Sequence, residues 1–274
     1  MNWKAPVQAL STSQPIRELY SALRKVPIIG PALGQIVRTI LPTKTRVWSR
    51  INAGSGKGLW VRLDPRFEIG YMSGVYEEPV ERTLSLHLRP GSVFYDVGAH
   101  IGIMSLVAAR LVGNRGTVFA FEADPANALR MEEHVRRNGF EQIHIQPYAV
   151  WSAGGRLRFE RAPAQSSLNQ GAVATEQAKI SANTIDVEAI ALDDFSRRHA
   201  PPDLIKIDVE GAEAAVLRGG ERIFATKRPL LICEVHNEDS SREVSQWLLE
   251  RNYSLLWLED TPNLPRHLFA KWRQ

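Results

Sequence analysis

The sequence predicts an α/β fold: a largely parallel sheet flanked by helices, preceded by a basic, partly helical appendage. Three observations carry this. From residue 59 onward, short apolar runs alternate with segments of helical periodicity. Runs such as VFYDV and LLICEV are almost continuously apolar, as strands buried on both faces of a parallel sheet must be. Four of five consecutive runs also end in acidic or ionisable residues, the pattern of a sheet whose carboxyl edge meets a polar ligand.

The elements follow in order. Residues 1–58 read as the appendage, with helical pieces around 15–25 and 33–41 interrupted by Pro27, Gly30, Pro31 and Pro42. NAGSGKG, residues 52–58, reads as a flexible join or a hairpin turn. LWVRLD is a strand, and VYEEPVERTLSLHL a helix closed by Pro90-Gly91. SVFYDVGA, GTVFAFEAD, IHIQPYAV, DLIKIDVE and PLLICEVH are five successive strands. The helices GIMSLVAARLV and PANALRMEEHVRRNG follow the first two; AEAAVLRGGERIF and SREVSQWLLERN follow the last two. Pro125 in a first turn and Gly139 at an end fit the preferences of helix termini. YSLLWLE and HLFAKW are closing strands. Residues 161–183 are polar and aperiodic, and read as a long loop: a lid, a binding loop or a disordered segment. The main domain is therefore 59–274.

Composition is that of an ordinary globular protein, 44% hydrophobic and 23% charged over 274 residues. The charge is unevenly spread. Residues 1–62 hold ten Lys/Arg against one acid, Glu18, a net +9; the remainder is −5, for a total of +4. No apolar run of about 18 residues is present, so no transmembrane helix is expected. No basic segment leads into an apolar core and a small-residue cleavage site, so the expected location is cytoplasmic. The apolar, interrupted stretch VPIIGPALGQIVRTIL reads as a helical cap on the main domain, or as a surface for peripheral membrane contact or a partner. The lone Cys233 excludes an internal disulfide and a cysteine zinc cluster, and reads as a buried small residue.

The chemistry sits at the strand ends. The first strand ends with Asp96, Gly98 and Gly102, the second with Glu122 and Asp124, and the third with Ala149, Val150 and then Ser152. The fourth ends with Asp208 and Glu210, the fifth with Glu234 and His236. Gly98 and Gly102 permit a tight turn and close backbone approach. The spacing is not that of the dinucleotide fingerprint, and Asp96 would repel a pyrophosphate. Glu122, 24 residues after Gly98, suits a ribose diol. The implied ligand is a nucleoside with a cationic centre, for which S-adenosylmethionine fits. Asp208 with Glu210, and Glu234 with His236, are each two residues apart, so each pair shares a face of its strand. His236 is the candidate general base, its ordinary pKa suiting neutral pH. The quartet also offers oxygen and imidazole donors; Asp208, Glu234 and His236 could hold a divalent cation, which nothing in the spacing requires. Asp193 in LDDF reads as a helix cap, and Glu213 as a first-turn acid favoured by its helix. Ser166 and Ser167 are candidates for the acceptor pocket, and read equally as polar loop filler.

FYDVGAHIG, FEADP, LDDF, IKIDVEGAE and ICEVHN, in this order, resemble the FkbM family of S-adenosylmethionine-dependent methyltransferases over roughly residues 70–240. The resemblance implies the Rossmann-like class I methyltransferase fold, seven strands with the last antiparallel. It implies cofactor contacts at Asp96, Gly98, His100, Gly102, Glu122 and near Ala149-Val150, with Glu77 of YEEP near the methionine end. His100 reads equally as a backbone donor at a helix start. The expected activity is O-methylation of a sugar, glycan or specialised metabolite. Two alternatives stand beside it. One is nucleic-acid methylation through the basic arm, disfavoured because the Asn/Asp-Pro-Pro-Tyr and catalytic-Cys motifs are absent. The other is a non-catalytic cofactor-binding module.

Overall fold

The computed structural model describes residues 46–64, 67–72, 76–161, 172–173 and 182–273. The helical pieces expected near 15–25 and 33–41, together with Ser166 and Ser167, lie outside the described residues. The chain divides into two compact units, residues 1–78 with 166–168, and 79–165 with 169–274.

In the first unit, β1 (Val47–Arg50) pairs antiparallel with β2 (Trp60–Leu63), Val47 opposite Leu63. The connection closes with Gly58 N–H donating to the Ile51 carbonyl at 2.8 Å, and Gly54 and Gly58 take positive φ. NAGSGKG is thus a hairpin connection. The boundary expected between 58 and 59 falls inside this hairpin, and the division between units lies after Glu78. A 3-10 turn, Ile69–Met72, follows.

The second unit is built on a seven-stranded sheet. After α1 (Glu78–His87) come β3 (Val93–Val97), α2 (Ile103–Val112), β4 (Thr117–Phe121), α3 (Pro125–Asn138) and β5 (Ile143–Gln146). Later come β10 (Leu204–Ile207), α5 (Glu213–Arg218), α6 (Glu221–Thr226), β11 (Leu230–Val235), α7 (Glu238–Glu250), β12 (Tyr253–Trp257) and β13 (Arg266–Trp272). The order is β12-β13-β11-β10-β3-β4-β5, with β13 antiparallel to both neighbours and the remaining pairs parallel. The chain runs outward from β3 through β4 to β5, then returns to β10 on the other side of β3. Right-handed crossovers on opposite sides of β3 put their helices on opposite faces of the sheet. Tyr95, Phe119, Phe121 and Phe195 pack edge-on or tilted, with centroids 4.8–5.6 Å apart, in a core continued by Ile205, Leu231 and Val235. Cys233 is buried in that core, as expected.

Three elements differ from the sequence expectation. IHIQPYAV is not one strand: β5 stops at Gln146, and Ala149–Val150 forms β6 of another sheet. Pro147, lacking an N–H, lies between them. That sheet has the order β6-β9-β7-β8, with β7 (Gly155–Glu160), β8 (Ala172–Val173) and β9 (Thr184–Ile190). The span read as a 161–183 loop therefore carries β8 among its described residues. The sheet has its own small core of Ala149, Phe159, Val187 and Ala189. Finally, AEAAVLRGGERIF breaks into α5 and α6 at Gly219-Gly220. A Cβ on Gly219 would lie 2.1 Å from the Trp151 carbonyl oxygen, so the glycine is needed where two backbones touch. Asp193, inside the short helix α4 (Leu192–Phe195), caps α6 instead, accepting from Arg222 N–H (2.8 Å) and Ile223 N–H (3.0 Å).

Candidate active site

The sheet order reverses beside β3, so the crevice beyond the carboxyl ends of β3 and β10 is where a ligand is expected in this architecture. Asp96, in β3, is buried and accepts from Ser105 Oγ of α2 at 2.5 Å. Gly98 takes φ 78°, and a Cβ there would sit 1.8 Å from the Asp208 carbonyl oxygen. Gly102 takes φ 84°, and a Cβ there would sit 2.5 Å from Met131. Both glycines are thus demanded by the protein's own packing. His100 is held at φ 53°. Its backbone N–H meets the next strand, donating to Glu122 Oε2 at 2.7 Å.

Glu122 ends β4 as a buried carboxyl. Its Oε1 accepts from Asp124 N–H at 2.8 Å. Burial pushes it up to about 8, while the N–H groups of Asp124 and His100 pull the other way. Asp124 caps α3 through Ala126 N–H (2.8 Å) and pairs with Arg161 Nε (2.7 Å). Ala149 and Val150 are buried in β6, three residues beyond the end of β5, and Ser152 is exposed in the bend that follows. Glu77 belongs to the first unit, just ahead of α1, with φ 49°.

Beside this loop, His236 gathers the acids that end β10 and β11. Its Nδ1 lies 2.8 Å from Glu213 Oε1. Its Nε2 lies 3.4 Å from Glu210 Oε2 and 3.7 Å from both Asp208 Oδ1 and Glu234 Oε2. The expected facing pairs, Asp208 with Glu210 and Glu234 with His236, are thus brought to one imidazole. Burial disfavours a charged ring, but Glu213, Glu210, Glu234 and Asp208 outweigh it and raise His236 to about 9. The ring therefore carries its proton at neutral pH in this state, which its ordinary pKa did not foretell. Burial also opposes charge on Asp208, yet Lys206, with help from Glu234 and His236, holds its carboxyl well below the usual range. Lys206 Nζ sits 2.9 Å from Asp208 Oδ2, and the lysine is itself buried. Burial pushes Glu210 up; His236 opposes this, and Asp208 and Glu213 reinforce it.

Two residues here were not read as part of the site: Lys206, hidden in an apolar strand, and Glu213, read as a first-turn acid, which faces His236. The signal for Lys206 was a lone cation inside LIKI, two residues before an acid. Asp208, Glu234 and His236 each offer a donor atom within 4.8 Å of the others, wide enough to admit a cation. The Lys206 ammonium on Asp208 and the proton on His236 both work against one, so none of the three is assigned as a ligand.

The buried acids ending two adjacent strands, and the tight turn between them, fit an adenosine-type cofactor. The diol donors of a ribose would satisfy the Glu122 carboxyl in its charged form, and Asp96 would add negative charge for a cationic centre. A sheet of this order with this edge defines a Rossmann-like, class I methyltransferase. The chain belongs to the FkbM methyltransferase family: residues 96–255 match the Methyltransferase FkbM domain. It is accordingly an S-adenosylmethionine-dependent methyltransferase. Hexuronic acid methyltransferase AglP of Haloferax volcanii is 27% identical over 180 residues, covering 65% of this chain and 70% of that protein. The 31-O-demethyl-FK506 methyltransferase FkbM of Streptomyces tacrolimicus is 30% identical over 185 residues, covering 57% and 70%. The crystal structure of a methyltransferase FkbM from Methylobacillus flagellatus superposes with a TM-score of 0.49 at 16% identity, over 75% of this chain and 53% of that one.

Proposed function

We propose that this enzyme transfers the methyl group of S-adenosylmethionine to a hydroxyl of a sugar, glycan or specialised metabolite, with His236 Nε2 taking the hydroxyl proton. The observation that carries the reading is the convergence of Asp208, Glu210, Glu213 and Glu234 on one imidazole next to the Gly98 loop. Bound S-adenosylmethionine supplies a methyl carbon already activated by its sulfonium. Asp96, Glu122 and the backbone of Gly98–Gly102 hold and orient it. Ala149, Val150 and Ser152 complete the set of proposed cofactor contacts in this unit. What remains for the chain is alignment of the acceptor and removal of its proton as oxygen attacks. His236 supplies the acceptor nitrogen, from the fraction of rings that have lost their proton. Asp208, Glu210 and Glu234 stabilise the imidazolium that forms. Two relatives whose names carry a hexuronic acid and a 31-O-demethyl compound support an oxygen nucleophile on a hydroxylated molecule. The proposed location of the reaction is the cytoplasm. No helix among the described residues is long and apolar enough to cross a membrane. The basic 1–58 arm is proposed as a cap or a peripheral membrane contact.

The test pairs two variants with a panel of hydroxylated acceptors and labelled S-adenosylmethionine. His236→Ala should lower methyl uptake by about 10²-fold or more, in the range of a lost general base, while cofactor affinity stays within a few fold. Asp96→Ala should instead weaken cofactor binding. Retained turnover in His236→Ala removes the ring from proton transfer, and unchanged affinity in Asp96→Ala breaks the assignment of the β3 edge.

A further inference from the structure

Glu213 opens α5 and is fully buried. A first-turn acid favoured by the helix macrodipole would sit at the surface and need no partner. This one accepts from three places. Its Oε1 takes His236 Nδ1 at 2.8 Å and Gly211 N–H at 2.9 Å, and its Oε2 takes Ser240 Oγ at 2.8 Å. Ser240 is itself held in place by Asn237, which caps α7 by accepting Ser240 N–H at 2.9 Å. The carboxylate therefore ties together the loop after β10, the end of β11 and the start of α7.

We propose that Glu213 is the positioning residue of the proton acceptor, locking the proton of the neutral His236 ring on Nδ1 so that Nε2 alone faces the acceptor hydroxyl. This rests on the reading of His236 as the base. An ionised carboxylate, here held by the Gly211 N–H and the Ser240 hydroxyl, can only accept, so a ring nitrogen hydrogen-bonded to it must donate, and that nitrogen is Nδ1. The neutral ring then keeps its lone pair on Nε2. That is the nitrogen turned toward Glu210, Asp208 and Glu234. The charged groups around the ring are Lys206 from β10, Asp208 and Glu210 from the loop after it, Glu213 from α5 and Glu234 from β11. His267 of β13 stands behind Glu234, at 4.0 Å. Only Glu213 touches Nδ1 in this group, and it is the most deeply buried of the carboxylates. Burial opposes its charge, but the bonds from His236, Gly211 and Ser240 hold its carboxyl below the ordinary value.

The deciding experiment is imidazole nitrogen NMR on the full chain without acceptor. In the wild type above the ring's titration, the proton should reside on Nδ1. In Glu213→Gln, which keeps the shape and loses the charge, the His236 titration should move down by a unit or more, with Glu213→Asp restoring part of it. A neutral wild-type ring protonated on Nε2, or a Glu213→Gln titration that overlays the wild type, overturns the proposal. Should Glu213→Gln fail to fold, the wild-type tautomer still decides. Failure of the base assignment looks different: His236→Ala would turn over normally while the wild-type ring still showed its proton on Nδ1.

Discussion

The proposed role of Glu122 predicts that cofactor binding is a proton-linked event. In the ligand-free protein, burial holds its carboxyl up to about 8, so at pH 7 it is mostly neutral. A ribose diol donating two hydrogen bonds favours the charged form, so binding must first ionise the group. That costs about 1.4 kcal/mol at pH 7 and about twice as much at pH 6, at roughly 1.4 kcal/mol per pH unit. Affinity for S-adenosylhomocysteine should therefore climb about tenfold per unit between pH 6 and 8, then level off. Calorimetry in buffers of different ionisation enthalpy should show close to one proton released per cofactor bound at pH 7. Glu122→Gln keeps the shape and removes the titration. Its affinity should be flat with pH and, above pH 8, weaker by roughly 10- to 100-fold, the loss of a charge-assisted hydrogen bond of about 1.5–3 kcal/mol. A wild-type affinity that is flat from pH 6 to 8 with no proton exchange would refute the reasoning. So would a Glu122→Gln variant that binds as the wild type does.

Further outcomes follow from the same geometry. Gly98→Ala forces a Cβ against the Asp208 carbonyl at 1.8 Å and a side chain into φ 78°; backbone strain and overpacking together should cost about 2–5 kcal/mol, read as a lowered denaturation midpoint with the slope unchanged. A midpoint within error of wild type would show that the loop has room. His236 has a folded-state value raised from 6.5 to about 9, so its stabilising contribution is full below pH 6.5 and lost as pH rises through 9. At roughly 1.4 kcal/mol per unit that is about 3 kcal/mol, and wild-type thermal stability should fall more steeply over that window than that of His236→Asn. Parallel curves would remove the ring from the balance. The rate of methyl transfer should rise with pH toward a limb near 9; a limb near 6.5 would mean that bound acceptor dismantles the acidic ring. With the Lys206 ammonium 2.9 Å from Asp208, a chelator should leave turnover unchanged. Loss in EDTA that magnesium or manganese restores would reassign the cluster to a metal.

Most of the seven-stranded sheet was legible because β3, β4, β10 and β11 are buried on both faces and read as apolar runs, and because turn residues punctuate the chain. The second sheet was not. Its strands GRLRFE and TIDVEAI are half exposed and rich in charge, so no apolar run marks them. The signal present was the alternation of Leu157 and Phe159, and of Ile185, Val187 and Ala189, with polar residues, the period of a strand buried on one face. Helices α5 and α6 merged in the sequence because their apolar spacing continues across Gly219-Gly220. Only the Trp151 backbone, 68 residues earlier, explains the break.

The site divides in the same way. The sequence alone determined which residues end the strands, because an acid closing an apolar run is a local fact: Asp96, Glu122, Asp208, Glu210, Glu234 and His236 were all readable. It also determined the family, through motifs whose order survives without any knowledge of space. Only the tertiary structure decided how these groups set one another's charge. Glu213 acquires His236 and Ser240 by side-chain packing between separate elements, Lys206 is sealed in the sheet beside Asp208, and burial then multiplies each interaction that water would have screened. That is why His236 holds its proton at neutral pH, and why Gly98 answers to the neighbouring strand's carbonyl as well as to any ligand.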